Sequence, residues 1–216
     1  VGTINTTVWG NAYGASTAGD VTIKGKTVNL TGNIRTDGVV SRSYGSAAGN
    51  ITVQSGWNCA VDCVGVDTLV IGEIPEETTS AELPMDYPVL TISARSGHAT
   101  VSGEPGTGGT ITLEALNGDI HVTDAQQVEI RADGQPNNVY GHEILTSGSG
   151  GTVRVKSLQG AIHGYSLSID VSGGAGGDAN GDGIPAGRRG GDGGTAELSA
   201  ATGITLTDAL TIYADG

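Results

Sequence analysis

The sequence predicts an all-β chain wound as a parallel β-solenoid of about six coils, each about 19 residues long, with long Gly-rich loops inserted at one corner. The first observation behind this is an internal repeat. Gly108-Gly109-Thr110-Ile111-Thr112-Leu113 recurs as Gly150-Gly151-Thr152-Val153-Arg154-Val155 and as Gly193-Gly194-Thr195-Ala196-Glu197-Leu198, at steps of 42 and 43 residues. Periods in this range mark repeat architectures, in which one repeat cannot bury its own apolar face and must stack on its neighbours. The second is the residue inventory: no Phe, 4% aromatic residues and 38 Gly. A sandwich of this length normally fills its centre with large aromatics. A narrow coil is filled instead by Val, Ile, Leu and Ala, with Gly and Asn at the corners. The third is alternation. Ile111 and Leu113 point in while Thr110, Thr112 and Glu114 point out. Helix signals are nearly absent, and Glu73-Ile74-Pro75-Glu76-Glu77-Thr78-Thr79 reads as a Pro-interrupted loop.

Taken along the chain, residues 1–18 read as an N-terminal strand and linker, suited to donation to a neighbour because Thr3-Ile4-Asn5-Thr6-Thr7-Val8-Trp9 alternates. The solenoid then runs over residues 19–216. Its first strands align at Val21, Ile51, Ile92, Ile111, Val153 and Ala196, with steps of 30, 41, 19, 42 and 43 residues. The step of 19 defines the bare coil, and longer turns are that coil plus a loop. The loops fall near 39–48, 73–88, 135–149 and 174–192. All but the second follow an Asp-Gly or Ser-Gly pair (Asp37-Gly38, Asp133-Gly134, Ser172-Gly173), so they emerge from one edge. The expected interior is Ile111, Ile120, Ile130, Val153, Ile162, Ile169, Ile204, Leu206 and Ile212.

A formal net charge of −13, from 23 acidic against 10 basic residues, argues against nucleic acid as a partner, since that requires a basic footprint. No apolar run approaches the roughly 18 residues of a membrane helix, so membrane insertion is not expected. Val1 in place of Met raises the expectation that a leader or longer N-terminal part has been removed.

The stretch Gly108 to Val122, Gly-Gly-Thr-Ile-Thr-Leu-Glu-Ala-Leu-Asn-Gly-Asp-Ile-His-Val, resembles the repeats of filamentous-haemagglutinin-like proteins, as does the corner Ser172-Gly173-Gly174-Ala175-Gly176-Gly177. The resemblance lies in texture: Gly-Gly starts, alternating aliphatics and Asp-Gly corners. It implies a secreted right-handed parallel β-helix acting as a surface fibre or adhesin shaft, and it points to fold more than to function.

Asp178-Ala179-Asn180-Gly181-Asp182-Gly183 matches the opening of a calcium loop. Asp178, Asn180 and Asp182 supply oxygen ligands at alternate positions, and Gly183 permits the turn. The twelfth position, where a bidentate Glu belongs, is Arg189, while Asp192 stands ready to close the shell. Cys59 and Cys63 are the only cysteines. An even count in a secreted-looking chain points to a small local disulfide across a tight corner. Two thiols are too few for a structural zinc without other ligands. His121 and His163 share a register and are expected to stack on the outer face, where they continue the polar ladder more readily than they form a two-His metal site or a pH-sensitive pair. Asn5, Asn29 and Asn50 open N-x-Thr sequons.

Catalysis finds little support, because the outward carboxylates Glu114, Asp119, Glu129 and Asp170 look scattered among coils. The expected function is that of a non-enzymatic extracellular or cell-surface structural protein, a module of a fibre, filament, sheath or large adhesin. It would self-associate through its solenoid ends or continue into further repeats. The alternative is a carbohydrate-binding or carbohydrate-active β-helix, with Trp9, Trp57, Tyr44, Tyr87 and Tyr140 available to line a groove for extracellular carbohydrate. Calcium is the one cofactor expected.

Overall fold

The computed structural model describes residues 4–5, 17–39, 45–57, 68–72, 89–97, 105–123, 127–136, 147–175 and 190–216. Those residues form an all-β structure without a helix, in which every strand pairing is parallel. After β1 (Ile4–Asn5) the strands come in threes. The first pass holds β2 (Val21–Lys24), β3 (Val28–Leu30) and β4 (Ile34–Arg35). The second holds β5 (Ile51–Ser55), β6 (Leu69–Ile71) and β7 (Val89–Ser93), and the third β8 (Thr110–Ala115), β9 (Ile120–Val122) and β10 (Gln127–Arg131). In the last two passes the second and third strands run together: β11 (Thr152–Ser157) precedes β12 (Ala161–Asp170), and β13 (Thr195–Ala200) precedes β14 (Gly203–Tyr213).

Each pass lies on the previous one in register. The first strands make a sheet in the order β13-β11-β8-β5-β2. Second and third strands make the other, which meets itself in β12 because the two halves of that strand pair with β9 and β10 respectively. The join is at Gly164, whose φ is 152° and whose missing side chain leaves room for the Val122 carbonyl. The ladder between β12 and β14 shifts register just there, between Gly164 and Ser166.

The period-2 pattern places the aliphatic residues as expected. Val21, Ile51, Ile111, Val153 and Ala196 form one inward row, and Ile34, Ile92, Ile130, Ile169 and Ile212 another. Ile111, Ile120, Ile130, Val153, Ile162 and Ile169 are fully buried, each contributing about 1.5–3 kcal/mol of transfer free energy. Ile204 and Ile212 continue these rows but remain 43% and 44% exposed, because β14 has a partner strand on only one side among the described residues. Leu206 is partly buried.

One expectation is corrected. Ile92 does not begin a coil. It lies in β7 between Ile34 and Ile130, whereas Ile51 pairs directly with Ile111, 60 residues on. Among the described strands there is thus no 19-residue coil, and they make five passes rather than six. Alternation reports which residues face inward and nothing about which sheet they join. At the N-terminus, Ile4–Asn5 pairs with Ile34–Arg35 of the same chain.

The Gly-Gly pairs work through close approach. A β-carbon on Gly109, Gly151 or Gly194 would stand less than 3.0 Å from the carbonyl oxygen of Gly49, Gly109 or Gly151 below it. In each case the backbone N–H instead reaches the end of a third strand: Gly109 to Ala94, Gly151 to Ala132 and Gly194 to Val171, at 2.8, 2.6 and 2.6 Å. The chain can therefore pass from third strand to first at a narrow edge. The loops there are pinched at their bases, with Gly148 donating to Gln135 at 3.0 Å and Gly191 to Gly174 at 3.0 Å.

Candidate functional site

The third strands carry the most organised polar surface. Parallel register stacks Arg35, Ser93, Arg131, Asp170 and Tyr213 into one row. Two residues further along each pass stand Asp37, Arg95 and Asp133. Asp133 is nearly buried, its side chain only 8% exposed, and it accepts from Arg95 Nε at 2.9 and 3.1 Å, from Arg131 Nε at 3.3 Å and from Gln135 Nε2 at 2.8 Å. Arg131 also reaches Asp170 at 3.4 Å. A carboxylate removed from water is tolerable only when charge and hydrogen bonds replace its hydration, and two guanidiniums and an amide do so here.

Beside this network a shallow cleft is lined by Glu129, Arg131, Ser168, Asp170 and Tyr213. Glu129 and Asp170, expected to be scattered, are thus brought to one place. The signal that would have found them is the matched register of β10, β12 and β14, which sets Glu129 beside Ser168 and Arg131 beside Asp170. The Arg95–Asp133 pairing was missed for the same reason as Ile92, since it needs β7 and β10 to be neighbours.

The outer face of the first sheet is a plainer ladder of Thr22, Thr52 and Thr112 followed by charged pairs. Gln54 donates to Glu114, and Lys156 meets Glu197 at 2.8 Å with Arg154 at 3.5 Å on the other oxygen. The Lys156 hydrogen bond, with further help from Arg154, holds the Glu197 carboxyl below its ordinary range. Lys24 lies 3.7 Å over the ring of Trp57, which is 45% exposed.

On the second strands, His121 and His163 stack as expected, with ring centroids 4.7 Å apart and planes inclined by 23°. Asp119 Oδ2 is 3.7 Å from His163 Nε2, and its other oxygen accepts the Ala161 N–H at 2.7 Å. The same device recurs elsewhere. Asn50 donates to Asp20 through Nδ2 at 3.2 Å and accepts the Thr110 N–H at 2.9 Å, so this sequon side chain bridges three passes. Asn29 is exposed on β3.

Asp178, Asn180, Asp182, Cys59 and Cys63 lie outside the described residues, as do Trp9, Tyr44, Tyr87, Tyr140 and the side chain of Asn5. Among the described residues, no three His, Cys, Asp or Glu side chains converge to hold a metal, and no helix is long and apolar enough to cross a membrane. No family model, curated protein or solved structure matches this chain.

Proposed function

We propose that the chain is a right-handed parallel β-helix and serves as a non-enzymatic structural module of an extracellular fibre, sheath or large adhesin. The observation that carries this reading is the stacking of aliphatic rows from one pass to the next, in register on either side of the shift at Gly164, through to an apolar edge at β14. Such stacking is indefinitely extensible, because each pass presents the same ladder and the same inward rows that it was built on. Ile204, Leu210 and Ile212 are 43–45% exposed on that edge. A further pass, from a second copy or from more of the same polypeptide, would bury them and satisfy the unpaired ladder groups.

An acidic surface with net charge −13 suits a soluble shaft and leaves nucleic acid as an unsuitable partner. Calcium remains the ion proposed for Asp178, Asn180 and Asp182, bound by oxygen ligands of the 174–192 loop. Negative-stain electron microscopy of the purified chain over a concentration series is the test. Rods that lengthen with concentration, or a single rod-shaped particle when the edge is covered, are expected. Compact globular particles would refute the reading.

One observation favours a second reading, carbohydrate binding: the cleft that unites Glu129, Arg131, Ser168, Asp170 and Tyr213 on an outer sheet face. Its carboxylates, guanidinium and phenol are hydrogen-bonding groups of the type that orient sugars. Glycan-array binding lost on Tyr213→Ala would promote it over the purely structural role.

A further inference from the structure

We propose that His121 and His163 form a two-imidazole site for a nitrogen-preferring divalent transition metal such as zinc, copper(II) or nickel(II), which ties the third pass of the chain to the fourth. The two residues are 42 positions apart in sequence but are direct partners in the parallel ladder. Their rings already stack with centroids at 4.7 Å and planes 23° from parallel, so one pair of edges is closer than the other. Metal–nitrogen bonds of about 2.0–2.1 Å at a tetrahedral angle require the ligating nitrogens roughly 3.4 Å apart. Because the lone pairs lie in the ring planes, each ring must turn about its Cβ–Cγ bond out of the stacked arrangement to aim a nitrogen at a shared ion. The ladder residues on either side are Val70 and Thr205, neither of which carries a competing charge.

Asp119 supplies the orienting group. Its carboxylate is pinned by the Ala161 N–H at 2.7 Å and lies 3.7 Å from His163 Nε2. At 3.7 Å the carboxylate is an ion-pair neighbour rather than a hydrogen-bond partner; drawn onto Nε2 when a metal is taken up, it would fix the ring and leave Nδ1 as the ligating nitrogen, the usual outer-shell arrangement around a metal-bound His. Since the protein offers two ligands, water completes the coordination, and the 43% exposure of the His163 side chain leaves space for it. Imidazole also sets the selectivity. Calcium and magnesium prefer oxygen and are refused, whereas zinc, copper and nickel are taken, with protons competing as the solution is acidified. The site is independent of the oxygen-rich 174–192 loop and of the structural reading.

The test uses the full chain with His98 and His142, the remaining histidines, replaced by Gln. Copper(II) is titrated calorimetrically and the complex examined by electron paramagnetic resonance, with zinc as the second probe. One metal per chain with hyperfine structure from two equivalent imidazole nitrogens is expected. His121→Gln and His163→Gln should each weaken binding at least tenfold, and Asp119→Asn by about tenfold. Zinc should raise the unfolding temperature of the parent and leave that of either His variant unchanged. Circular dichroism verifies that these surface variants fold. Absence of binding at millimolar metal, a one-nitrogen spectrum, or affinity indifferent to His121 and His163 overturns the proposal.

Discussion

Replacing Gly151 by Ala tests whether the passes are as closely stacked as the Gly-Gly edges indicate. A β-carbon there would stand less than 3.0 Å from the Gly109 carbonyl oxygen and from the Gly108 carbonyl carbon. Both are backbone atoms held in the neighbouring pass, so neither can swing aside. The passes must separate locally, and forcing a methyl group into a filled space costs about 1–3 kcal/mol. The separation also strains two hydrogen bonds, Gly151 N–H to Ala132 at 2.6 Å and Thr152 N–H to Gly109 at 3.0 Å. Each is worth about 0.5–1.5 kcal/mol. The lower entropy of the unfolded Ala variant returns about 0.4–1 kcal/mol. The net loss is about 2–4 kcal/mol.

Urea unfolding followed by far-ultraviolet circular dichroism and by tryptophan fluorescence measures it, with the midpoint expected to fall by roughly 1–2 M. Gly25→Ala is the control. Its nearest non-adjacent atom is the Thr27 carbonyl oxygen at 3.1 Å, and its midpoint should move by less than about half as much. A Gly151→Ala midpoint within about 0.3 M of the parent would refute the close stacking.

Ile130→Ala removes a fully buried side chain flanked by Ile92 and Ile169, and should cost about 2–5 kcal/mol in the same assay. Lys156→Gln should bring the Glu197 carboxyl back toward its ordinary value of 4.5, as followed by nuclear magnetic resonance titration. Because the folded-state value is depressed, the stabilisation from this pair is fully present above the ordinary value of 4.5 and is lost as the pH falls through the lower, folded-state one. Calcium at millimolar concentration should release or absorb heat on titration into the intact chain, and Asp182→Ala should abolish the signal.

The inward rows were legible in the sequence because the chain repeats its own registers. Ile111, Val153 and Ala196 occupy the same place in successive copies of one motif, and in-register parallel stacking follows from that equivalence. The His121–His163 contact was legible for the same reason. The passes built on β5 and β7 were not, since Val89–Ser93 alternates just as a first strand does, and a period of two specifies a face without specifying a neighbour. Position along the chain also misleads when a segment such as 73–88 separates β6 from β7. Local sequence therefore set the strands, the inward residues and the glycine edges, because these depend on sterics and burial within a few residues. The Arg95–Asp133–Arg131 network and the cleft of Glu129, Asp170 and Tyr213 needed the assembled sheet. Their residues come from different passes, and only the hydrogen-bonded ladder brings them within about 5 Å of strand spacing.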